Sequence, residues 1–175
     1  MNIQPQLENE NIVLIPLQEN DFEDLFDVAS DPKIWEQHPN KDRYKREVFR
    51  NFFDGALLSK GAFKIIEKSS SRIIGSTRSY DFDDDSIFIG YTFYSTEVWG
   101  KGINPQVKRM MLDYAFQFVN VVKFHVGKEN IRSRIAMERL GAEFKEEIEV
   151  AYFGESPKIN IEYWIEKNQY EKELP

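Results

Sequence analysis

The chain has 175 residues, of which 41% are hydrophobic and 14% aromatic, and this length and apolar content suit one folded domain spanning residues 1–175. It carries 30 acidic and 23 basic side chains, a formal charge of −7, so its electrostatic field repels polyphosphate backbones and anionic lipid. We therefore expect no nucleic-acid partner and no membrane partner, whereas cationic molecules such as amines are favoured.

Cysteine is absent, and histidine occurs only at His38 and His125. This composition excludes disulfides, thiolate zinc sites and cysteine nucleophiles, and we expect no metal cofactor. The first residues lack the basic and apolar stretches of a secretion signal, and no later segment approaches about 18 uninterrupted apolar residues. Both observations favour a cytoplasmic protein.

The first half of the chain predicts one strand, two helices and then three more strands. A β-branched run predicts a strand over Asn11–Leu17. Apolar residues at helical spacing predict a helix that Asn20 or Asp21 caps and that stops before Pro32, and a second helix over Tyr44–Ser59. Short polar turns separate the three strand-like segments that follow, which are Ala62–Glu67, Arg72–Phe82 and Ser86–Tyr94.

The second half predicts a helix over Pro105–Val119, with Asn104 as its cap and the proline at the first helical position. A further strand, helix and hairpin follow, over Val121–Val126, Asn130–Leu140, Phe144–Phe153 and Ile159–Ile165. Residues 168–175 are expected to form a loose polar tail. The order β-α-α-β-β-β-α-β-α-β-β predicts an α+β fold (mixed α/β), with a mostly antiparallel central sheet of about seven strands flanked by about four helices.

The segment Trp99–Asn104 lies between a strand and a helix and contains two glycines, Gly100 and Gly102. The first turn of a helix leaves backbone N–H groups unpaired and carries partial positive charge, while glycines let an anion approach the main chain. This arrangement predicts a phosphate-binding loop. It does not match the Walker pattern, and its position after an antiparallel meander disfavours a dinucleotide fold.

Two segments of the chain resemble the GNAT N-acetyltransferase superfamily. Ile89–Tyr94 followed by Glu97–Gly102 resembles motif A of that family. Lys128–Ser133 followed by Met137–Ala142 resembles the Asn-x-x-Ser helix and closing Leu-Gly of the branch that includes ribosomal-protein N-terminal acetyltransferases. The resemblance extends over residues 12–165, and the predicted order of elements is similar to the family's.

The resemblance implies a GNAT-like domain that transfers acetyl from acetyl-CoA directly to a primary amine, on a small molecule or a protein N-terminus. It implies that the strand ending at Phe93 and Tyr94 splays from its neighbour, so that its backbone meets the pantetheine and thioester. It also implies that the Asn130 side chain contacts the cosubstrate, and that the pyrophosphate is bound by the loop residues Trp99, Gly100, Lys101, Gly102, Ile103 and Asn104. The family loop commonly begins with Gln or Arg three residues before its first glycine, where this chain has Glu97.

The residues that move protons are less clearly indicated. Many family members carry a tyrosine general acid where this chain has Met137, so that role does not transfer. Ser133 lies one turn beyond Asn130, and its hydroxyl could donate toward the sulfur or only bind the cosubstrate or the helix backbone. For the base, the candidates are Glu67, Asp81, His125 and a water molecule.

The alternative for His125 is a half-buried, hydrogen-bonded strand residue without a catalytic role, which is the commoner situation for a histidine on a strand. The acceptor side is expected near the loop that holds Trp35, His38 and Arg43, although for Trp35 a core position is an equal alternative. The turn at residues 83–85 is expected to be solvated and could help to attract a cationic acceptor.

Two other functions remain open from the sequence. The first is a non-catalytic acyl-CoA-binding sensor, which the methionine at position 137 would permit. The second is a structural subunit that assembles through its final hairpin. The acceptor, the acyl chain length and the choice between monomer and homodimer are not determined by the sequence.

Overall fold

The sheet is the centre of the molecule, and its strand order follows the chain except at the end. The computed structural model describes residues 1–173, and within them eight strands form one sheet in the order β1-β2-β3-β4-β5-β6-β8-β7. The strands are β1 Leu7–Glu8, β2 Ile12–Pro16, β3 Ala62–Glu67, β4 Arg72–Tyr80, β5 Ser86–Tyr94, β6 Val121–Gly127, β7 Glu143–Val150 and β8 Lys158–Glu166.

Every neighbouring pair in the sheet is antiparallel except β5 and β6, which run parallel. These two strands pair over three residues only, from Ser86 opposite Val121 to Phe88 opposite Lys123. Beyond Phe88, β5 continues for six residues and β6 for four without pairing to each other. The sheet is therefore split between its fifth and sixth strands.

Helices cover both faces of the sheet and enclose two apolar cores. The helices are α1 Phe22–Ala29, α2 Pro32–Trp35, α3 Arg46–Ser59, α4 Ile103–Ala115, α5 Ile131–Arg139 and α6 Lys167–Glu173. One core contains buried side chains of α4, α5 and α6, and the other contains those of α1, α2 and α3. Within residues 1–173, no helix is long and apolar enough to cross a membrane.

This architecture confirms the predicted α+β fold with a mostly antiparallel sheet. The structure adds a two-residue strand, β1, and the one-turn helix α2, which follows the predicted end of the first helix and overlaps the predicted loop only at Trp35. Asp31 caps α2 by accepting a hydrogen bond from the Lys33 N–H, and Pro32 takes the first helical position. Pro32 therefore ends one helix and begins the next.

The predicted start of α4 was wrong by two residues. The helix begins at Ile103, and its N-cap is Gly102 in the left-handed conformation, with φ of 72°. Asn104 lies inside the first turn, where its Oδ1 accepts a 3.0 Å hydrogen bond from the Tyr94 hydroxyl. Pro105 is tolerated at the third helical position because N–H groups of the first turn have no partner inside the helix.

The expected loose tail is also wrong for residues 168–173, whereas residues 174 and 175 lie outside the described residues. Tyr170 anchors α6, because its ring packs on Phe116 with centroids 5.1 Å apart and its hydroxyl donates a 2.6 Å hydrogen bond to Asp113. The polar composition of this segment concealed one aromatic side chain that is only 7% exposed.

Replacing this anchor should destabilise the fold. Tyr170→Ala removes a buried ring, so we expect the free energy of unfolding to fall by about 3 kcal/mol. Tyr170→Phe removes only the hydrogen bond to Asp113 and should cost about 1 kcal/mol. Urea denaturation measures both, with the exposed Lys172→Ala as the matched control. Equal stability of Tyr170→Ala and the control would show that α6 does not contribute to the core.

Candidate active site

A cavity of about 570 Å³ occupies the split between β5 and β6. Cavities that bind small molecules usually measure about 300 to 1,000 Å³. Its walls come from both faces of the sheet: the unpaired ends of β5 and β6, the glycine loop, α4 and α5 on one side, and His38, Arg43 and Tyr152 on the other. The cavity therefore connects the two faces where main-chain pairing is missing.

A β-bulge sets the side-chain directions along the open part of β5. The register between β4 and β5 shifts between Ser76 and Arg78, and Tyr91 has a φ of 52°. As a result, Tyr91 and Phe93 pack toward the core of α1 to α3, whereas Tyr94 packs toward the core of α4 and α5. Thr92 also faces α4, where its hydroxyl contacts Lys108. Before the bulge, the odd-numbered Ile87 and Ile89 pack toward the core of α4 and α5, so the bulge exchanges the faces to which odd- and even-numbered residues point.

The glycine loop has the geometry of an anion cradle. Gly100 and Gly102 have φ of 73° and 72°, and a Cβ added to either would meet no atom within 4 Å. These glycines therefore provide left-handed backbone beside open space rather than a close contact within the protein. The first turn of α4 contains no acidic residue, and its outward N–H groups face the loop. Such a surface attracts a negatively charged group.

Glu97, which stands where the family loop commonly has Gln or Arg, does not block the cradle. Its carboxylate lies 3.5 Å from the Arg72 guanidinium, and both side chains are exposed. Glu97 does not line the cavity, so its charge is partly offset and is directed outward. Lys101 is exposed and also lies outside the cavity wall.

The start of α5 forms the wall opposite the glycine loop. Asn130 is 4% exposed and caps the helix, because its Oδ1 accepts a 3.3 Å hydrogen bond from the Ser133 N–H. This bond uses the carbonyl end of the side chain and leaves the amide nitrogen to donate to a ligand. Arg132 stacks over Trp99 with its guanidinium 4.3 Å from the ring centroid. The stacking ties α5 to the glycine loop.

On the opposite side of the cavity, a buried ion pair positions the aromatic wall. Arg43 donates two hydrogen bonds to Glu155, of 2.9 and 2.8 Å, and their side chains are 3% and 7% exposed. The Arg43 guanidinium stacks on Tyr152, 5.3 Å from the ring centroid. Burial, with added repulsion from Arg43 and Arg132, lowers the pKa of His38 to about 3. His38 is therefore neutral at physiological pH and is a weak base.

His125 has a carboxylate partner that the sequence did not reveal. Its Nε2 lies 2.9 Å from a Glu162 carboxylate oxygen, and the other oxygen of that carboxylate accepts a 2.5 Å hydrogen bond from the Trp164 indole. His125 and Glu162 are directly opposed on β6 and β8. This register brings together two residues that are 37 positions apart, and only knowledge of the strand pairing could have predicted the contact.

A comparison of the chain with models of protein families identifies its family. Residues 11–143, about three quarters of the chain, match the model of the acetyltransferase (GNAT) domain. The chain belongs to the GNAT acetyltransferase family. This confirms the resemblance drawn from motif A and from the Asn-x-x-Ser helix.

Solved structures of GNAT proteins share the fold. A GCN5-related N-acetyltransferase from Brucella melitensis is 18% identical, with a TM-score of 0.79 over 96% of this chain and 81% of its own. A GNAT-family acetyltransferase from Bacillus anthracis is also 18% identical, with a TM-score of 0.75 over 94% of this chain and 99% of its own. The ribosomal-protein-S5-alanine acetyltransferase from Vibrio fischeri is 16% identical, with a TM-score of 0.67 over 95% of this chain and 99% of its own.

The GNAT family uses acetyl-CoA as cosubstrate, and the cavity fits this molecule. The cradle offers backbone N–H groups to a pyrophosphate, and the cavity wall includes both the glycine loop and His125 on β6. Among the described residues that line it, none is Asp or Glu, whereas Arg43, Lys108, Arg132 and Arg139 are cationic. A polyanionic ligand therefore meets no carboxylate on these walls.

The structure brings most of the expected site residues to one cavity. The members that line it are Phe93, Tyr94, Trp99, Gly100, Gly102, Ile103, Asn104, Asn130, Ser133, His125 and His38. Met137, which occupies the family's tyrosine position, is buried in the same wall.

Other candidates lie elsewhere. Trp35 is completely buried, and its indole donates a 2.7 Å hydrogen bond to the Ala29 carbonyl, so it is a core residue and does not line the cavity. Glu67 accepts a hydrogen bond from Ser70 in the β3–β4 turn, and Asp81 is exposed after β4. Asp83 accepts hydrogen bonds from Asp85 and Ser86, and these bonds lower the pKa of its carboxyl. The Asp83 side chain therefore bonds within its own turn.

Lys108 is a site residue that the sequence interpretation missed. It is 3% exposed, lines the cavity from α4, and has hydroxyl partners only, Thr92 at 2.7 Å and Thr77 at 3.4 Å. Burial lowers its pKa to about 7. The signal was present in the sequence, because position 108 lies three and four residues before the buried Met111 and Leu112, on the same helical face.

Removing this lysine should stabilise the protein in a pH-dependent way. Because the pKa is lower in the folded state, folding carries the full cost of burying an ammonium below about pH 7, and that cost disappears as the pH rises toward about 10. We expect Lys108→Met to raise the free energy of unfolding by about 2 to 4 kcal/mol near pH 6, with little gain near pH 10. Denaturant titrations of both proteins across this range measure the difference. A gain that does not change with pH would contradict the lowered pKa.

Proposed function

We propose that this chain is an acetyl-CoA-dependent N-acetyltransferase that transfers acetyl directly to a primary amine, on a small molecule or a protein N-terminus. The observation that carries this proposal is the split between β5 and β6. It joins an anion cradle on the α4 and α5 face to a histidine and aromatic wall on the other face. A donor and an acceptor can therefore meet from opposite faces of the sheet.

The cosubstrate supplies an acetyl group activated as a thioester, and the protein binds and orients it. The N–H groups of residues 99–104 that have no main-chain acceptor bind the pyrophosphate, with Gly100 and Gly102 providing the left-handed backbone. Those of Trp99 and Lys101 already donate to main-chain carbonyls at 3.3 Å. The Asn130 amide and the Ser133 hydroxyl contact the cosubstrate from α5, and the exposed Lys101 adds positive charge at the entrance. Backbone groups of Phe93 and Tyr94 contact the pantetheine, because β6 leaves them unpaired on that side.

The acceptor amine must be neutral before it can attack, and His125 is the base that the geometry favours. Its Nε2 is occupied by Glu162, which leaves Nδ1 to accept a proton. His38 lines the same side but is a weak base, since burial lowers its pKa to about 3. In this proposal His38 accepts a hydrogen bond from the acceptor, and a water molecule can relay the proton to His125.

The cradle can be tested by binding alone. Gly102→Val places a β-branched side chain at a φ of 72°, a conformation that such residues adopt at a cost of about 1 to 2 kcal/mol or more. We expect the Kd for acetyl-CoA to rise at least about tenfold in isothermal calorimetry. Lys101→Ala is the matched control, because it keeps both glycines and should weaken binding less. Unchanged affinity in Gly102→Val would show that acetyl-CoA does not use this loop.

Turnover separates the enzyme from an acyl-CoA-binding sensor, the alternative that the buried Met137 supports. We expect thiol release from acetyl-CoA with at least one amine in a panel of polyamines, amino acids, aminoglycosides and N-terminal peptides. His125→Gln and Glu162→Gln should lower kcat/KM by about 100-fold or more while the Kd for acetyl-CoA stays unchanged. Tight binding without turnover across the panel would favour the sensor and overturn the enzyme assignment.

A further inference from the structure

Lys108 is a buried ammonium group on the cradle side of the cavity. It projects from the second turn of α4, whose first turn forms part of the cradle. The facing wall is α5, where Met137 lines the cavity. Met137 occupies the position at which many family members carry a tyrosine that acts as general acid. Lys108 has no role in the binding and base functions assigned above, and burying an amine without a carboxylate partner costs free energy. A group retained at such a cost invites a functional explanation.

The hydrogen bonds around Lys108 leave one N–H unused. The Thr92 hydroxyl can donate to the Gly90 carbonyl at 3.3 Å, and the Thr77 hydroxyl to the Met111 sulfur at 3.7 Å. The two hydroxyls also lie 2.8 Å apart, so one of them can donate to the other instead. In either arrangement both oxygens have lone pairs to accept from the Lys108 Nζ. An ammonium has three donors, and these bonds use two of them. The third N–H is available to a ligand in the cavity.

We propose that the Lys108 ammonium donates the proton that neutralises the thiolate when the acetyl group leaves coenzyme A. The inference rests on the proposed function. In the step, the acceptor nitrogen forms a bond to the acetyl carbon, and the carbon–sulfur bond breaks with its electron pair on sulfur. A Lys108 N–H bond breaks and an S–H bond forms. His125 or water takes the amine proton, and solvent reprotonates Lys108.

The acidity of Lys108 suits this transfer better than that of Ser133. With burial lowering its pKa to about 7, the ammonium is a stronger acid than a cysteine-type thiol, whose pKa is about 8.5, so the proton moves downhill to the thiolate. An unperturbed lysine, with a pKa of about 10.4, would not donate favourably. A serine hydroxyl is a far weaker acid and carries no charge to stabilise the thiolate. Ser133 therefore remains a binding residue in this assignment.

The charged groups around Lys108 do not change this conclusion. Those on neighbouring cavity walls are Tyr94 on β5, His125 on β6, and Arg132 and Arg139 on α5. On β4, Arg78 follows Thr77 but turns to the other face, where its guanidinium stacks 3.8 Å from the Tyr91 ring centroid. Burial is the cause of the lowered pKa of Lys108.

The first experiment measures the thiol of bound coenzyme A without catalysis. The protein contains no cysteine, so alkylation by iodoacetamide in excess protein reports the coenzyme A thiol alone. We expect bound coenzyme A to be alkylated about tenfold faster in the wild type than in Lys108→Met near pH 6, where the ammonium favours the thiolate. The two rates should converge above about pH 8, where Lys108 is neutral. The control is Lys172→Met, an exposed lysine on α6 that should behave as the wild type.

The second experiment is the pH profile of single-turnover acetyl transfer. In the wild type the rate should fall as the pH rises past about 7, because the donor loses its proton. Lys108→Met should lose this limb and about 100-fold in rate, whereas Ser133→Ala should keep the limb. Thr92→Val serves as a second variant, because it removes the shorter hydrogen bond to the Lys108 Nζ and keeps the lysine as proton donor. We expect the fall in rate to occur at a different pH in this variant.

Calorimetry with coenzyme A separates the possible failures. If the wild type does not bind coenzyme A, the proposed function is wrong, and this inference falls with it. If wild type and Lys108→Met bind equally and show the same alkylation rate near pH 6 and the same fall in transfer rate above pH 7, the enzyme assignment stands and Lys108 is not the donor. Loss of binding in a folded Lys108→Met would make Lys108 a binding contact and would also overturn the donor role.

Discussion

The split between β5 and β6 is the constraint on which the rest of the structure depends. Two parallel strands that pair over only three residues leave their remaining main-chain groups without a neighbour on that side. Unpaired backbone polar groups are costly unless something bonds to them. The split thus creates both the space for a ligand and a demand for hydrogen bonds there. The antiparallel strands on either side hold it open, because β4 pairs with β5 and β8 with β6 along their lengths.

The two sides of the split carry different chemistry because the β-bulge at Tyr91 redistributes the side chains of β5. Thr92 and Tyr94 reach α4, and Tyr91 and Phe93 reach the aromatic cluster of the other core. A regular strand would reverse these directions beyond the bulge, since side chains alternate with a period of two. One extra residue therefore places a polar network beneath the cradle and an aromatic wall on the acceptor side.

The cavity has an electrostatic character opposite to that of the whole chain. The formal charge is −7, yet the described lining residues include four lysines and arginines and no carboxylate. Two of these cations are placed by specific contacts, Arg43 by Glu155 and Arg132 by Trp99. An acidic exterior with a cationic cavity can attract an amine from solution while binding a polyanionic cosubstrate. Net charge alone pointed only to the first of these partners.

The sequence by itself determined the local elements, the glycine cradle and the family. Periodicity, glycines and prolines act over a few residues, so β3 and β5 were predicted with their exact limits, and the helix that begins beside Asn130 was identified from its motif. Local signals failed where packing decided the outcome, as at Tyr170 in the polar final segment and at Trp35, which the core enclosed. Only the tertiary structure placed Glu162 against His125 and surrounded Lys108 with hydroxyls. The His125–Glu162 contact joins residues 37 positions apart in the chain, and the Lys108–Thr92 contact joins residues 16 positions apart. The charge state of a side chain depends on such neighbours and on burial, and neither is encoded in the order of nearby residues.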